Sequence, residues 1–299
     1  VGFYDEPYAD SSAIPTYRVC ELARKHVTVA LSGDGGDENY IGYRRYNLFS
    51  MEEKIRAAFP DWFRKPVFGF LGDYYPKLDW APRVFRGKTT FQALGRSSAD
   101  AYLHGVSIFP EEGRNWLFSD SFKRELQGYS SREVFARHLE GKEFEDPLRM
   151  VQYLDFKTYL PGDILTKVDR ASMAHSLEVR VPFLDHTYVS WTAGLPTQTK
   201  LRRGTGKHVL KESLRPLLPE EVLFRSKMGF AVPLDMWFRG SLQDRMTESL
   251  KGERLVGSGV FDPAALRTIG KDHRSGRRDY SAILWALLMF DGFLASAAG

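Results

Sequence analysis

Apolar residues early in the chain switch from helical to strand spacing within a few residues. Thr16–Lys25 carries Tyr17, Cys20 and Leu22 at the intervals of an amphipathic helix, with Asp10, Ser11 and Ser12 placed ahead of it as caps. Val27-Thr28-Val29-Ala30-Leu31 is β-rich and apolar almost throughout, the pattern of a buried parallel strand. It empties into Ser32-Gly33-Asp34-Gly35-Gly36-Asp37-Glu38, after which Tyr40, Ile41, Tyr43 and Tyr46 predict a helix from about Glu38. A strand, a glycine-rich turn and a helix is the arrangement in which α/β proteins take ligands, at the carboxyl end of the strand.

From about residue 51 to 146 the pattern becomes short helices broken by Pro and Gly, dense in aromatics, with no catalytic spacing. Glu111-Glu112 and Arg137-His138 read as solvated faces. Pro147–Tyr159 predicts a helix through Leu148, Val151, Tyr153, Leu154 and Phe156, which Pro161-Gly162-Asp163 breaks and caps. Asp163–Ser176 predicts a second helix, and Val179–Leu184 an extended segment whose Pro182 argues against a central strand. Helices are expected from Lys200 onward, with breaks at Gly204-Thr205-Gly206 and Gly257-Ser258-Gly259. The apolar run Ala282–Phe290 is far below the ~20 residues of a membrane span and reads as a core helix.

Composition narrows the class. At 299 residues, 43% hydrophobic and 27% charged, the chain is an ordinary globular protein. A net charge of +4 suits an anionic ligand such as a nucleotide but does not make a nucleic-acid surface. Lys271, Arg274, Arg277 and Arg278, and Arg202, Arg203 and Lys207, read as solvated loops. The single cysteine, Cys20, excludes an internal disulfide, fits a reducing, cytoplasmic setting, and reads as a buried thiol. The abrupt start at Val1, without an initiator Met, suggests an excised piece of a longer protein.

Three segments can carry chemistry. In the first, Gly33, Gly35 and Gly36 let several N–H groups converge on an anion, as a helix N-terminus would. Acids in the same loop repel phosphate unless a divalent cation intervenes, so the turn reads either as a magnesium–phosphate site or as an exposed acidic turn. In the second, Leu160–Arg170 followed by Leu177–Asp185, Lys167, Asp169 and Arg170 interrupt an apolar helix; they face a pocket or pair internally, for example Glu178 with Arg180 or Arg170. In the third, Arg225–Pro233, Lys227 precedes a Gly-Phe pair that can hold it on a firm loop, or it is an ordinary surface lysine.

Together and in this order, these segments resemble the synthetase domain of the glutamine-hydrolysing asparagine synthetase family. The likeness also runs through Asp5-Glu6-Pro7, Asp10–Tyr17 and Gly42–Tyr46, and is weak over 51–146 and after 240. It implies a helix-rich α/β fold: part of an ATP-pyrophosphatase parallel sheet over 1–50, a helical insertion over 51–146, and helical completion over 147–299. It implies ATP and Mg2+ as cofactors and an acyl-adenylate formed from a carboxylate, with aspartate the leading case. Ammonia would come from a glutaminase domain that this chain lacks. On the matching positions Asp37 would bind magnesium, Lys227 would stabilise phosphate charge, and Ser32, Gly33 and Gly35 would line the nucleotide pocket. Asp34 would sit beside the acyl group, with Asp169 as its partner.

The family's Ser-Gly-Gly-x-Asp-Ser phosphate loop is missing, so the chain alone is expected to be inactive and to bind ATP weakly. Asp34 stands where aspartate-using members often carry Glu and β-lactam-forming relatives Tyr, which leaves open another acceptor, such as a sugar acid of a polysaccharide pathway. A non-catalytic binding relative is the remaining alternative. No membrane or nucleic-acid partner is expected, and a homodimer is allowed.

Overall fold

The computed structural model describes residues 2–75, 87–225, 229 and 232–297. Helix α1 (Ala13–Arg24) leads into strand β1 (Val29–Leu31), then α2 (Gly36–Asn39) and α3 (Arg44–Ala58). Short helices follow: α4 (Asp61–Tyr74), α5 (Lys88–Leu94), α6 (Ser98–Val106), α7 (Glu111–Leu117), α8 (Asp120–Glu125) and α9 (Arg132–Leu139). Helix α10 (Pro147–Lys157) runs through a π turn (Leu160–Leu165) into α11 (Thr166–Met173) and strand β2 (Glu178–Arg180). A 3-10 turn (Pro182–Leu184), α12 (His186–Gly194), α13 (Thr197–Lys200) and α14 (His208–Leu214) come next. The fold closes with α15 (Glu220–Leu223), α16 (Leu234–Arg239), α17 (Gln243–Lys251), α18 (Glu253–Gly257), α19 (Pro263–Arg274) and α20 (Ser281–Ala297). It is a helix-rich α/β structure with a small parallel sheet.

Among the described residues that sheet has two strands, with Val29 opposite Glu178, Ala30 opposite Val179 and Leu31 opposite Arg180. The strand signal at 27–31 therefore holds, but its burial does not. Ala30 and Val179 face a small core of Cys20, Ala171 and Leu177 under α1 and α11. Val29 and Leu31 alternate to the other face, where Leu31 is 74% exposed. A run apolar on both faces implies cover on both, and the described elements cover one. The strand β2 ends before Pro182, so the proline opens the 3-10 turn instead of interrupting a ladder.

Two other expectations change. Ser12 takes the N-cap position of α1 but its side chain caps nothing; its Oγ accepts from Lys167 Nζ at 2.8 Å. Asp163 does not cap a new helix either: the chain continues helically through the π turn, with Pro161 near its start, where a missing N–H leaves no bond unmade. Helix α10 begins at Pro147 as expected, and its N-cap is Asp146, whose carboxylate accepts from Leu148 N at 2.8 Å and from the Thr197 hydroxyl.

The helix expected from Glu38 is split. Gly42 N donates back to Asp37 O at 2.8 Å, and Ile41 takes φ 53°, ending α2 after one turn. The α13–α14 loop sits against this break, with Lys207 N donating to Tyr40 O at 2.8 Å. A Cβ on Gly206 would stand 2.1 Å from the Ile41 carbonyl oxygen, a backbone atom with no freedom to swing aside. Gly206→Ala is therefore expected to lower stability by about 1–3 kcal/mol, seen as an earlier midpoint in urea unfolding with little change in slope.

Two larger cores hold this frame. One joins α3, α6, α9 and α10 through Ile41, Tyr46, Phe49, Tyr102, Phe135, Val151 and Leu154. The other centres on α20, where Ile283, Leu284, Trp285, Leu287 and Leu288 bury against Phe238, Met246 and Leu266, as the apolar run predicts. No helix of the described residues is long and apolar enough to cross a membrane.

Candidate functional site

The loops leaving the carboxyl ends of β1 and β2 meet. Ser32 N donates to Arg180 O at 2.8 Å, and Asn39 Nδ2 donates to Phe183 O at 2.7 Å. Gly35, at φ +83°, lies so close to Leu184 that a Cβ there would stand 2.2 Å from Leu184 Cδ2. Only glycine allows both that backbone conformation and that approach. Gly33 is different: it is exposed, with open space where a Cβ would stand, so its glycine is not required by packing.

The acids of the turn have separate fates. Ser32 Oγ donates to Asp34 Oδ2 at 2.6 Å, which fixes the Asp34 carboxylate over its own loop. Asp37, half-buried, pairs through Oδ1 with Lys207 Nζ at 3.2 Å. Gly42 makes room for that pair, since a Cβ there would stand 2.0 Å from Asp37 Oδ1 and 2.4 Å from Lys207 Cε. Glu38 turns inward, 1% exposed, and accepts from the Tyr43 hydroxyl at 2.6 Å. Burial pushes its carboxyl up, aided by the charges of Asp37 and Asp155 and opposed by the Tyr43 hydrogen bond.

Helix α10 holds this turn from behind. Gln152 Nε2 donates to the carbonyls of Glu38, at 2.6 Å, and Asn39, at 3.3 Å. One turn on, buried Asp155 accepts from Tyr102 at 2.6 Å, Arg45 at 2.8 Å and the Tyr46 hydroxyl. The Arg45 guanidinium lies 3.9 Å from the Tyr43 ring centroid and 4.3 Å from that of Tyr159. The turn is thus tied to the core by a continuous chain running Asp155, Arg45, Tyr43, Glu38.

The second segment resolves mainly into internal pairs. Lys167 Nζ contacts Asp10 Oδ2 at 2.6 Å, Arg170 pairs with Asp5, and Arg180 pairs with Glu178 at 2.7 Å. Asp163 accepts from the Tyr8 hydroxyl, and burial followed by the Asp10 charge raises its carboxyl. Burial works in the same direction on Asp10, but Lys167 and Ser12 outweigh it and hold that carboxylate low. Asp169 lies exposed on α11, and no hydrogen bond or ion pair joins it to Asp34. Lys227 lies outside the described residues.

Sequence reasoning missed Lys207, which had been grouped with Arg202 and Arg203 as a solvated cation, and the inward turn of Glu38. The signal for Lys207 was present in the Gly204-Thr205-Gly206 break just before it, since closely packed glycine is what lets the loop approach Ile41 and Gly42. A hard divalent cation fits Asp37 only as one ligand among several: Glu38 is turned away, Asp34 is held by Ser32, and phosphate oxygens or water would supply the remaining ligands.

Comparison with known proteins matches residues 1–295 to the asparagine synthase family. A putative glutamine-hydrolysing asparagine synthetase of Mycobacterium tuberculosis strain H37Rv is 35% identical over 298 residues, covering 97% of this chain and 42% of that protein. Asparagine synthetase (glutamine-hydrolysing) 1 of Bacillus subtilis is 31% identical over 290 residues, covering 97% of this chain and 44% of that protein. A protein named amidase chry2 from Gibberella zeae is 24% identical over 256 residues, 79% of this chain. The chain spans about two-fifths of the length of the curated synthetases it matches.

Proposed function

Since the chain belongs to the asparagine synthase family, we propose that it supplies the amide-forming half of an ATP- and glutamine-dependent ligase acting in the cytoplasm. A carboxylate oxygen of the substrate attacks the α-phosphorus of ATP, pyrophosphate departs, and ammonia then displaces AMP from the acyl-adenylate. Two anions must meet for the first step, so cationic groups have to offset charge that builds on the phosphates. The observation that carries the reading is the Asp37–Lys207 pair on a glycine turn at the carboxyl end of a parallel strand. A magnesium ion held by Asp37 would screen the departing pyrophosphate. Lys207 orients the Asp37 carboxylate, Lys227 stabilises the α-phosphate charge, and the Ser32–Gly35 backbone lines the nucleotide pocket. Asp34 lies beside the acyl group, and Asp169 acts with it in substrate handling.

Aspartate is the leading substrate. The short Asp34, tied back by Ser32, favours a second reading in which the acceptor is a bulkier carboxylate such as a sugar acid. The full-length protein, supplied with Mg-ATP and glutamine, is expected to release AMP and pyrophosphate in equal amounts with one member of a panel of carboxylic acids. Release with aspartate supports the first reading and release only with a sugar acid the second; no release with any acid overturns both. Titration of the present chain with Mg-ATP is expected to show weak binding, and micromolar affinity would contradict the inference that the main phosphate cradle lies elsewhere.

A further inference from the structure

A cavity of about 890 Å³ lies between α10, α12 and α13. Its polar lining includes Asn39, Arg149, Gln152 and Lys200, and its apolar wall is built largely from Phe144, Tyr153 and Phe156. Phe144 and Tyr153 pack with ring centroids 5.5 Å apart and planes tilted by 42°, giving an angled aromatic side.

Lys200 is the unusual member. It is 2% exposed, and no hydrogen bond or ion pair to its ammonium occurs among the described residues. The nearby carboxylate of Asp146 is already engaged, by Leu148 N and the Thr197 hydroxyl. Burial first, and the Arg149 charge second, pull the Lys200 amine down to about 8, against the pull of Asp146. An amine at that value is still mostly protonated at neutral pH. The Lys200 ammonium is held only by the longer-range attraction of Asp146, a carboxylate whose hydrogen bonds go elsewhere, so an anion entering the cavity gives it a direct partner. Arg149, exposed on α10, and Lys157 add positive charge to the same lining.

We propose that this cavity is a binding site for a small aromatic monocarboxylate, its carboxylate on Lys200 and Arg149 and its ring against Phe144, Tyr153 and Phe156. A monoanion is favoured over phosphate because Glu143, Glu145 and Asp146 also line the cavity and repel a dianion. The volume is within the range of small-molecule sites. The cavity lies behind the glycine turn, sharing Asn39 and Gln152 with its support, and its test does not depend on any ligase activity.

The experiment is calorimetric titration of the full-length protein with benzoate, and with benzamide as its uncharged counterpart. Benzoate is expected to bind saturably and at least tenfold more tightly than benzamide. Lys200→Met and Arg149→Gln are each expected to weaken benzoate at least tenfold while leaving benzamide unchanged. Should Lys200→Met fail to fold, Arg149→Gln decides, since Arg149 is exposed. No saturable benzoate binding, equal affinity for the two probes, or benzoate binding indifferent to Arg149→Gln overturns the proposal.

Discussion

Asp155→Ala is expected to remove about 3–5 kcal/mol of stability, a large share of the ~5–15 kcal/mol that holds an ordinary domain folded. Asp155 is 1% exposed and carries three donors on one carboxylate oxygen, from Arg45, Tyr46 and Tyr102. Its loss strands a half-buried guanidinium and two buried hydroxyls, so the desolvation penalty of each group is no longer offset. Asp155→Asn keeps an acceptor oxygen and is expected to lose less, about 1–3 kcal/mol. Urea unfolding of both variants checks the order. Equal, small losses would show that water replaces the carboxylate and that the network does not hold the core. Because Arg45 packs on Tyr43, and Tyr43 donates to Glu38, the Ala variant should also loosen the glycine turn.

The second large effect falls on Asp37. In the full-length protein, Asp37→Asn is expected to lower pyrophosphate release by about 10²–10³-fold, the usual scale for losing one group that stabilises developing charge. Folding should be little changed, because the residue is half-buried and an amide fits the same space. Lys207→Met provides the contrast. If Lys207 only positions Asp37, its loss should reduce turnover less and raise the magnesium concentration needed for half-maximal rate. A full-rate Asp37→Asn enzyme would remove the magnesium role from this residue.

Particular residues show what was legible in the sequence. The run Ala282–Phe290 gave α20 because continuous apolar residues leave few alternatives to burial. Val27–Leu31 located β1, yet its cover could not be read, since periodicity reports which faces are apolar and not which elements arrive to meet them. Tyr40–Tyr46 carried helical spacing, but Ile41 at φ 53° and the packing at Gly42 end α2 for a tertiary reason. The Asp37–Lys207 pair joins residues far apart in the chain, so no local window contains it. The Ser32–Glu38 turn was found by its glycines, while the inward turn of Glu38 depended on Tyr43 and Asp155. Lys167 and Arg170 stood out as charges in an apolar helix, and their partners, Asp10 and Asp5, came from near the start of the chain, 157 and 165 positions away.

The pairing of Val29 with Glu178 also has a kinetic meaning. The two loops of the candidate site come from strands on the order of 150 residues apart, so closing it is a high-contact-order event that loop entropy slows. During synthesis, β1 and its glycine turn leave the ribosome roughly 10–30 s before β2 is available. Over that interval Val29 and Leu31 have an unfilled hydrogen-bonding edge as well as an apolar face, the combination that invites pairing with another nascent chain. The yield of soluble protein should therefore depend on translation speed and holding chaperones more steeply than final stability would suggest, with the segment around β1 as the one that needs shielding.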